Sequence, residues 1–484
     1  MTQKDIIAAM LLLGAAFGGV IVTCCSKRAR DVFFFLLVTL SAITESIDVN
    51  FVSREWYRGT TCGFEVSLVD VLSISLLISA ILVPRRGEKR WYWPASFGLM
   101  LLFFLYACFD VSISDPKLFG LFELSKMVRG MIVFLAAALY VRSVRELKLF
   151  LWALGVAVCY ECFSALNQRY HYGINRVFGS LDDSNSLSMY LCMTAPIFVA
   201  VLTSRFSRYL KAFAAFVIAL ACIGVILTIS RMGVITIAAV LLGATLATVS
   251  LKVTPQKIGI TLLVMIAAVA VTAKSWRTLN SRFEGDSLKE EYGDKHSMGR
   301  GYYIRLAIAI ADDHWFGVGP NNWSYWVSNK YGPKLGWRFS PYPGTDRPPK
   351  MVAPSGSNLD DPQAAPAHSL AALTVGEMGI VGLVLFTILW LRWFQMGASF
   401  LWKRTTDPMR RMGVGFLFGA LGIFSQSMTE WVYHQTPIFF TFNIILGALA
   451  SLYYIKKRAR RAERAGERAD FEPVWNRPVH AENF

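Results

Sequence analysis

The chain has 484 residues, 54% of them hydrophobic and 17% charged, with a formal net charge of +16 and a mean hydropathy of +0.43. That balance excludes a soluble globular domain, because the apolar residues fall in repeated runs long enough to cross about 30 Å of hydrocarbon. In a soluble protein such a charge would prompt a search for nucleic acid. Here the basic residues gather in alternate connections between apolar runs, as the positive-inside rule requires of a membrane protein, and no nucleic-acid partner is expected.

In chain order, the predicted spans cover 6–25, 31–47, 65–84, 94–110, 121–141, 147–166, 186–203, 210–229, 232–251, 257–273, 367–391, 412–428 and 437–455. They predict an all-α, polytopic membrane protein with 12 or 13 transmembrane helices and one large external loop. Basic clusters at Lys27/Arg28/Arg30, Arg85/Arg86/Lys89/Arg90, Arg142/Arg145/Lys148, Arg205/Arg208/Lys211, Lys252/Lys257 and Lys403/Arg404/Arg410/Arg411 mark the cytoplasmic side. The first helix then runs inward. The chain divides into transmembrane helices with short loops (1–273), the external loop (274–366), C-terminal transmembrane helices (367–455) and a basic cytoplasmic tail (456–484). The tail is expected to be unstructured and to lie near anionic membrane lipids.

The first apolar segment is read as a span and not as a signal peptide, since its basic run follows the apolar stretch. Most of the eight cysteines fall within spans, so no disulfide framework is expected. Cys159 and Cys162 have CxxC spacing inside an apolar helix and are read as small packing residues.

Within the external loop, apolar residues at Ile304, Ala307, Ile308 and Ala311 predict a short amphipathic helix lying on the outer membrane surface. It ends in a turn rich in Gly, Pro and Asn around Gly317, Gly319, Pro320 and Asn321. The aromatics that follow, Trp323, Tyr325, Trp326, Tyr331 and Trp337, are read as interfacial belt anchors in preference to a sugar-stacking surface.

His368 stands where this loop re-enters the bilayer. With an unperturbed pKa near 6.5, its imidazole can accept a proton at cellular pH, which makes it the candidate general base. Three arginines, Arg176, Arg231 and Arg300, fall on the same outer side at or near helix ends. An arginine deep in a bilayer costs roughly 2.5–3.5 kcal/mol, so intramembrane charge is a functional hypothesis by default. The competing reading for each arginine alone is snorkelling to headgroups. Together they present planar forks of donors that can neutralise a pyrophosphate leaving group without metal. No metal-ligand constellation or cofactor motif is recognised: the six histidines are scattered, and Asp182 and Asp183 are read as a solvated loop pair. Glu377, nine residues after His368, is out of helical phase with it and is expected to orient a loop or pair with an arginine.

These residues sit in a pattern. Arg176-Val-Phe-Gly-Ser180 precedes Asp183-Ser-Asn185; Ser230-Arg-Met-Gly233 follows; then come Gly299-Arg300 with Gly317-Val-Gly319, and His368-Ser369 with Gly379-Ile-Val-Gly382. Over about 170–390 the chain resembles the O-antigen ligase and polysaccharide polymerase superfamily of bacterial inner-membrane glycosyltransferases. Two departures stand out. His314-Trp315 replaces the usual His-Pro, and no threonine pair follows Gly382, which leans away from the lipopolysaccharide ligases toward the polymerases.

The resemblance implies transfer of oligosaccharide from an undecaprenyl-pyrophosphate-linked donor to a sugar hydroxyl, on another glycan or the lipid A core, at the periplasmic face of the inner membrane. It implies His368 as base and arginines at the pyrophosphate; Asn185 and Glu377 are read beside them as supporting residues, and polysaccharide assembly proteins as partners. In-line displacement predicts inversion at the anomeric carbon. A flippase or exporter of lipid-linked oligosaccharide would instead line a path through the midplane with charge, and a non-catalytic envelope scaffold would tolerate loss of His368.

Overall fold

The computed structural model describes residues 3–46, 48–84, 91–181, 183–248, 300–337, 339–346, 363–401 and 407–464. The chain begins with α1 (Gln3–Cys25) and α2 (Lys27–Leu40), followed by a short hairpin of β1 (Asp48–Phe51) and β2 (Phe64–Ser67). Then come α3 (Leu68–Leu82), α4 (Phe97–Ile113), α5 (Lys117–Tyr140), α6 (Val144–Tyr170), α7 (Ser184–Thr203), α8 (Arg208–Leu227) and α9 (Arg231–Thr248). Beyond 299 lie α10 (Arg300–Asp313), an irregular helical stretch over 323–334, α11 (Leu370–Ala398), α12 (Pro408–Ser427) and α13 (Thr436–Arg464). Each predicted span coincides with one of these helices except 257–273, which lies outside the described residues. Among the described residues six helices are long and apolar enough to cross a membrane: α6, α7, α8, α9, α11 and α13. The protein is an all-α polytopic membrane protein whose strands are confined, among the described residues, to the hairpin.

The helix α7 forms the centre of one half of the bundle, buried along nearly its whole length and packed on α8, α9 and α12. Glycines on α12 allow the approach: a Cβ at Gly419 or Gly422 would overlap the carbonyl oxygen of Met193 or Cys192 on α7. In the other half, α13 packs along α5, and α3 against α1 and α5. The charges of α5, spaced three residues apart, are buried and paired. Lys126 lies 2.7 Å from Glu123, whose other oxygen is 3.1 Å from His434 Nδ1, and Arg129 is 2.9 Å from Asp70 and 3.1 Å from Glu65. Unpaired, these buried charges would be strongly destabilising; paired, they tie α5 to the hairpin, to α3 and to the turn before α13.

The external loop has its own apolar core. The face of α10 that packs on α11 is Tyr302, Leu306 and Ile310, spaced four apart, while Ile304 and Ile308 are exposed. So α10 docks on protein through Tyr302, Leu306 and Ile310 together with Ala307 of the predicted stripe, while Ile304 and Ile308 of that stripe face outward. Trp323 and Tyr331 are buried in that same core, Trp337 lies 4.1 Å from Tyr302, and Tyr325 stacks with Tyr342. Trp323 and Tyr331 are thus core residues of the loop and not lipid-facing anchors, which corrects the belt reading for these two, because a loop this long needs buried area to hold its shape.

Glycines lock that core to α11. Gly317 and Gly379 both have positive φ, +92° and +65°, and a Cβ on either would overlap backbone of the other's segment. Val318 N donates to Gly376 O at 3.1 Å and Gly319 N to Glu377 O at 2.8 Å, while Gly379 breaks the regular dihedrals of α11. Asn321 anchors the same turn, its Nδ2 donating to Thr61 O and Phe119 O. Finally, α13 continues through the basic 456–464. There the chain, expected to be unstructured, is helical, since Lys, Arg, Ala and Glu propagate a helix already nucleated in the bundle.

Candidate active site

Four connections meet at one end of the bundle: the 171–183 loop, the turn between α8 and α9, the residues before α11, and the turn between α12 and α13. In the first, Phe178 N and Gly179 N both donate to Gln168 Oε1 at 2.9 Å, and Ser180 N donates to Glu161 Oε2 at 2.9 Å. Two side chains of α6 thus clamp the turn that carries Arg176. Asp183 then caps α7, its Oδ1 accepting from Asn185 N at 2.6 Å and Ser186 N at 3.0 Å. This is a structural use for one carboxylate of the sequence pair; Asp182 lies outside the described residues.

Arg231 is the first residue of α9. The glycine two positions on lets α9 close on α7, since a Cβ at Gly233 would overlap Ser188 Oγ. Arg300 is the first residue of α10, and its side chain lies outside the described set. One turn further, the Tyr303 ring sits 5.6 Å from that of His368. His368 itself precedes Ser369, the N-cap of α11, whose hydroxyl accepts from Ala372 N.

These pieces form one hydrogen-bonded chain. His368 Nδ1 lies 2.7 Å from Glu430 Oε2. Asn185 Nδ2 donates to Glu430 Oε1 at 2.9 Å, and Arg176 Nη2 donates to Asn185 Oδ1 at 2.9 Å. Arg176 Nε donates to the carbonyl of Thr228 at 3.3 Å, three residues before Arg231. The chain therefore brings together His368, Asn185 and Arg176 directly and Arg231 by backbone. Glu430 is the member that the sequence reading missed. Its one signal is that it is an acidic residue in a short connection on the same side as His368.

The geometry assigns chemistry to each atom. A carboxylate only accepts, so the neutral imidazole carries its proton on Nδ1 and keeps the Nε2 lone pair. The His368 side chain is 40% exposed while that of Glu430 is 8% exposed, so the basic nitrogen is reachable and the orienting carboxylate is not. Helices α7, α9 and α11 all begin at this end, and their partial positive charge adds to that of the arginines. Glu377 is placed elsewhere. Buried in α11, it accepts from Trp323 N at 3.3 Å, so it orients the external loop and, among the described contacts, touches neither His368 nor an arginine.

The family model described as O-antigen ligase matches residues 214–387. That segment of the chain is similar to the O-antigen ligase family. It contains Arg231, Arg300 and His368, whereas Arg176, Asn185 and Glu430 lie outside the matched segment. No curated protein matches the chain. The helices make this a multi-pass membrane protein, and the match over 214–387 supports, in general terms, glycosyl transfer of the ligase and polymerase kind between a lipid-linked glycan donor and a glycan acceptor.

Proposed function

We propose that the protein transfers or polymerises oligosaccharide units from an undecaprenyl-pyrophosphate donor to a sugar hydroxyl at the periplasmic face of the inner membrane. His368 Nε2 takes the proton of the acceptor hydroxyl as its oxygen attacks the anomeric carbon. The bond from that carbon to the pyrophosphate breaks, the electron pair leaves with the lipid pyrophosphate, and the configuration inverts. Glu430 holds the imidazole in the Nδ1–H tautomer and stabilises the imidazolium that forms, the role a buried carboxylate plays beside a catalytic histidine. Arg176, Arg231 and Arg300 face the charge that develops on the pyrophosphate.

The observation that carries this reading is the 2.7 Å contact between a reachable histidine and a buried carboxylate, linked through Asn185 to an arginine. The test is a transfer assay with purified protein in detergent, lipid-pyrophosphate-linked oligosaccharide and candidate acceptors, with EDTA present. Product from wild type and little from His368→Ala is the expected result, and the product separates ligase from polymerase. No transfer with any acceptor, together with translocation of lipid-linked glycan in proteoliposomes that survives His368→Ala, would replace this reading with a transporter.

A further inference from the structure

A second charged site lies at the opposite end of α11. Arg392 is 24 positions beyond His368 in the sequence, about 35 Å along a helix at about 1.5 Å per residue. There a cavity of about 430 Å³ opens between the start of α4, the end of α11 and the end of α13, lined by Trp93, Ser96, Arg392, Lys457 and Arg461 among others, none of them acidic. Among the described residues no carboxylate pairs with Lys457 or Arg461.

The walls are fixed before any ligand arrives. Tyr92 stacks on Tyr454 at 4.0 Å and donates through its hydroxyl to Ala138 O at 2.7 Å, and Arg392 lies over the Tyr453 ring at 5.4 Å. Ser96 is the decisive residue. It precedes the first residue of α4 with φ +76° and makes no side-chain cap bond. It is 6% exposed, and its hydroxyl has no hydrogen-bond partner. A buried hydroxyl without a partner costs free energy, and here it lines a cavity with three cations beside the N-terminal amides of a 17-residue helix. That set of donors matches a phosphate ester.

We propose that this cavity binds the headgroup of an anionic phospholipid. A lipid is favoured over a soluble phosphoester because Trp93 and Leu99 line the cavity and the two helices that wall it carry further exposed apolar side chains, Leu102 and Leu105 on α4 and Val384, Ile388 and Leu391 on α11. Acyl chains lie along these while the phosphate meets Lys457, Arg461, Arg392 and Ser96. The site is independent of the glycosyl-transfer reading.

The test is native mass spectrometry of the full-length protein in detergent, titrated with phosphatidylglycerol and with phosphatidylcholine. Wild type is expected to prefer phosphatidylglycerol. Lys457→Gln/Arg461→Gln should weaken that binding about 25-fold, at about fivefold per cation. Ser96→Gly, which keeps the left-handed backbone and deletes only the hydroxyl, should weaken it about tenfold. Arg205→Gln/Arg208→Gln removes the same charge between α7 and α8, at the same end of the bundle, and should have little effect. Equal losses from both double variants would show nonspecific surface attraction and overturn the site, as would equal binding of the two lipids. Displacement of the lipid by millimolar glycerol 3-phosphate would overturn the lipid assignment in favour of a soluble phosphoester.

Discussion

Glu430 Oε2 lies 2.7 Å from Nδ1 of His368, across 62 residues of sequence. Because Glu430 also accepts from Asn185, and Asn185 accepts from Arg176, the four side chains form a hydrogen-bond chain of fixed polarity. Exchanging one acceptor oxygen for a donor leaves a mismatch that amide flips can move along the chain but not remove. Glu430→Gln should therefore lower turnover by about 10²-fold or more, as misplacement of a base's proton does, with donor binding retained. Near-normal transfer by this variant would remove Glu430 from the mechanism.

His368→Ala deletes the base and should cost about 10²–10⁴-fold in turnover. A split between kcat and the donor's Kd is the informative readout. Weakened donor binding at unchanged kcat would make His368 a binding residue and not the base.

Arg231 stands at the first position of α9, where its charge adds to the helix dipole. Arg231→Ala should lose about 10²–10³-fold, the scale seen when one stabilising donor is withdrawn from a transition state. Arg231→Lys should recover little, since an ammonium cannot make the two parallel bonds of a guanidinium. Full rescue by lysine would show that only the charge matters.

Gly379→Ala tests the lock between α11 and the external loop. The added Cβ needs a left-handed backbone and overlaps the 315–317 turn, so a stability loss of at least about 1–2 kcal/mol is expected. Transfer activity should fall with it, because α11 carries His368 at its start. A variant with unchanged melting temperature would show that the turn yields easily.

His314, at the end of α10, has its pKa held below the ordinary 6.5 by burial and by the neighbouring Lys330 charge. The folded state then resists protonation that the unfolded chain accepts, so stability present above pH 6.5 is lost as pH falls below it. Thermal melts from pH 7.5 to 5.5 should show a decline that His314→Gln reduces. An identical decline in the variant would assign the effect to other groups.

The spans were legible because each is a long apolar run, and the orientation of the arginines and of His368 relative to them followed from counting connections. The charges on α5 did not obscure that span, although its stability in the bundle depends on Lys126 and Arg129 finding their partners. Glu430 was not legible: a single carboxylate in a short turn reads the same whether solvated or buried against a distant histidine. The protein-facing side of α10 was not legible, because Tyr302 reads as a polar-edged ring in the sequence, yet it is what the loop core accepts beside Leu306 and Ile310. Glycines 317 and 379 were visible as a pattern, but that they press two backbones together only the fold reveals.

The chain from Arg176 to His368 has an evolutionary consequence. Its two middle members, Asn185 and Glu430, belong to segments flanking the matched domain, and neither can change its hydrogen-bonding sense alone. Across related sequences, positions 185 and 430 should drift as a pair, and grafting residues 214–387 onto foreign flanks should give a chimaera with a histidine whose proton sits on either nitrogen.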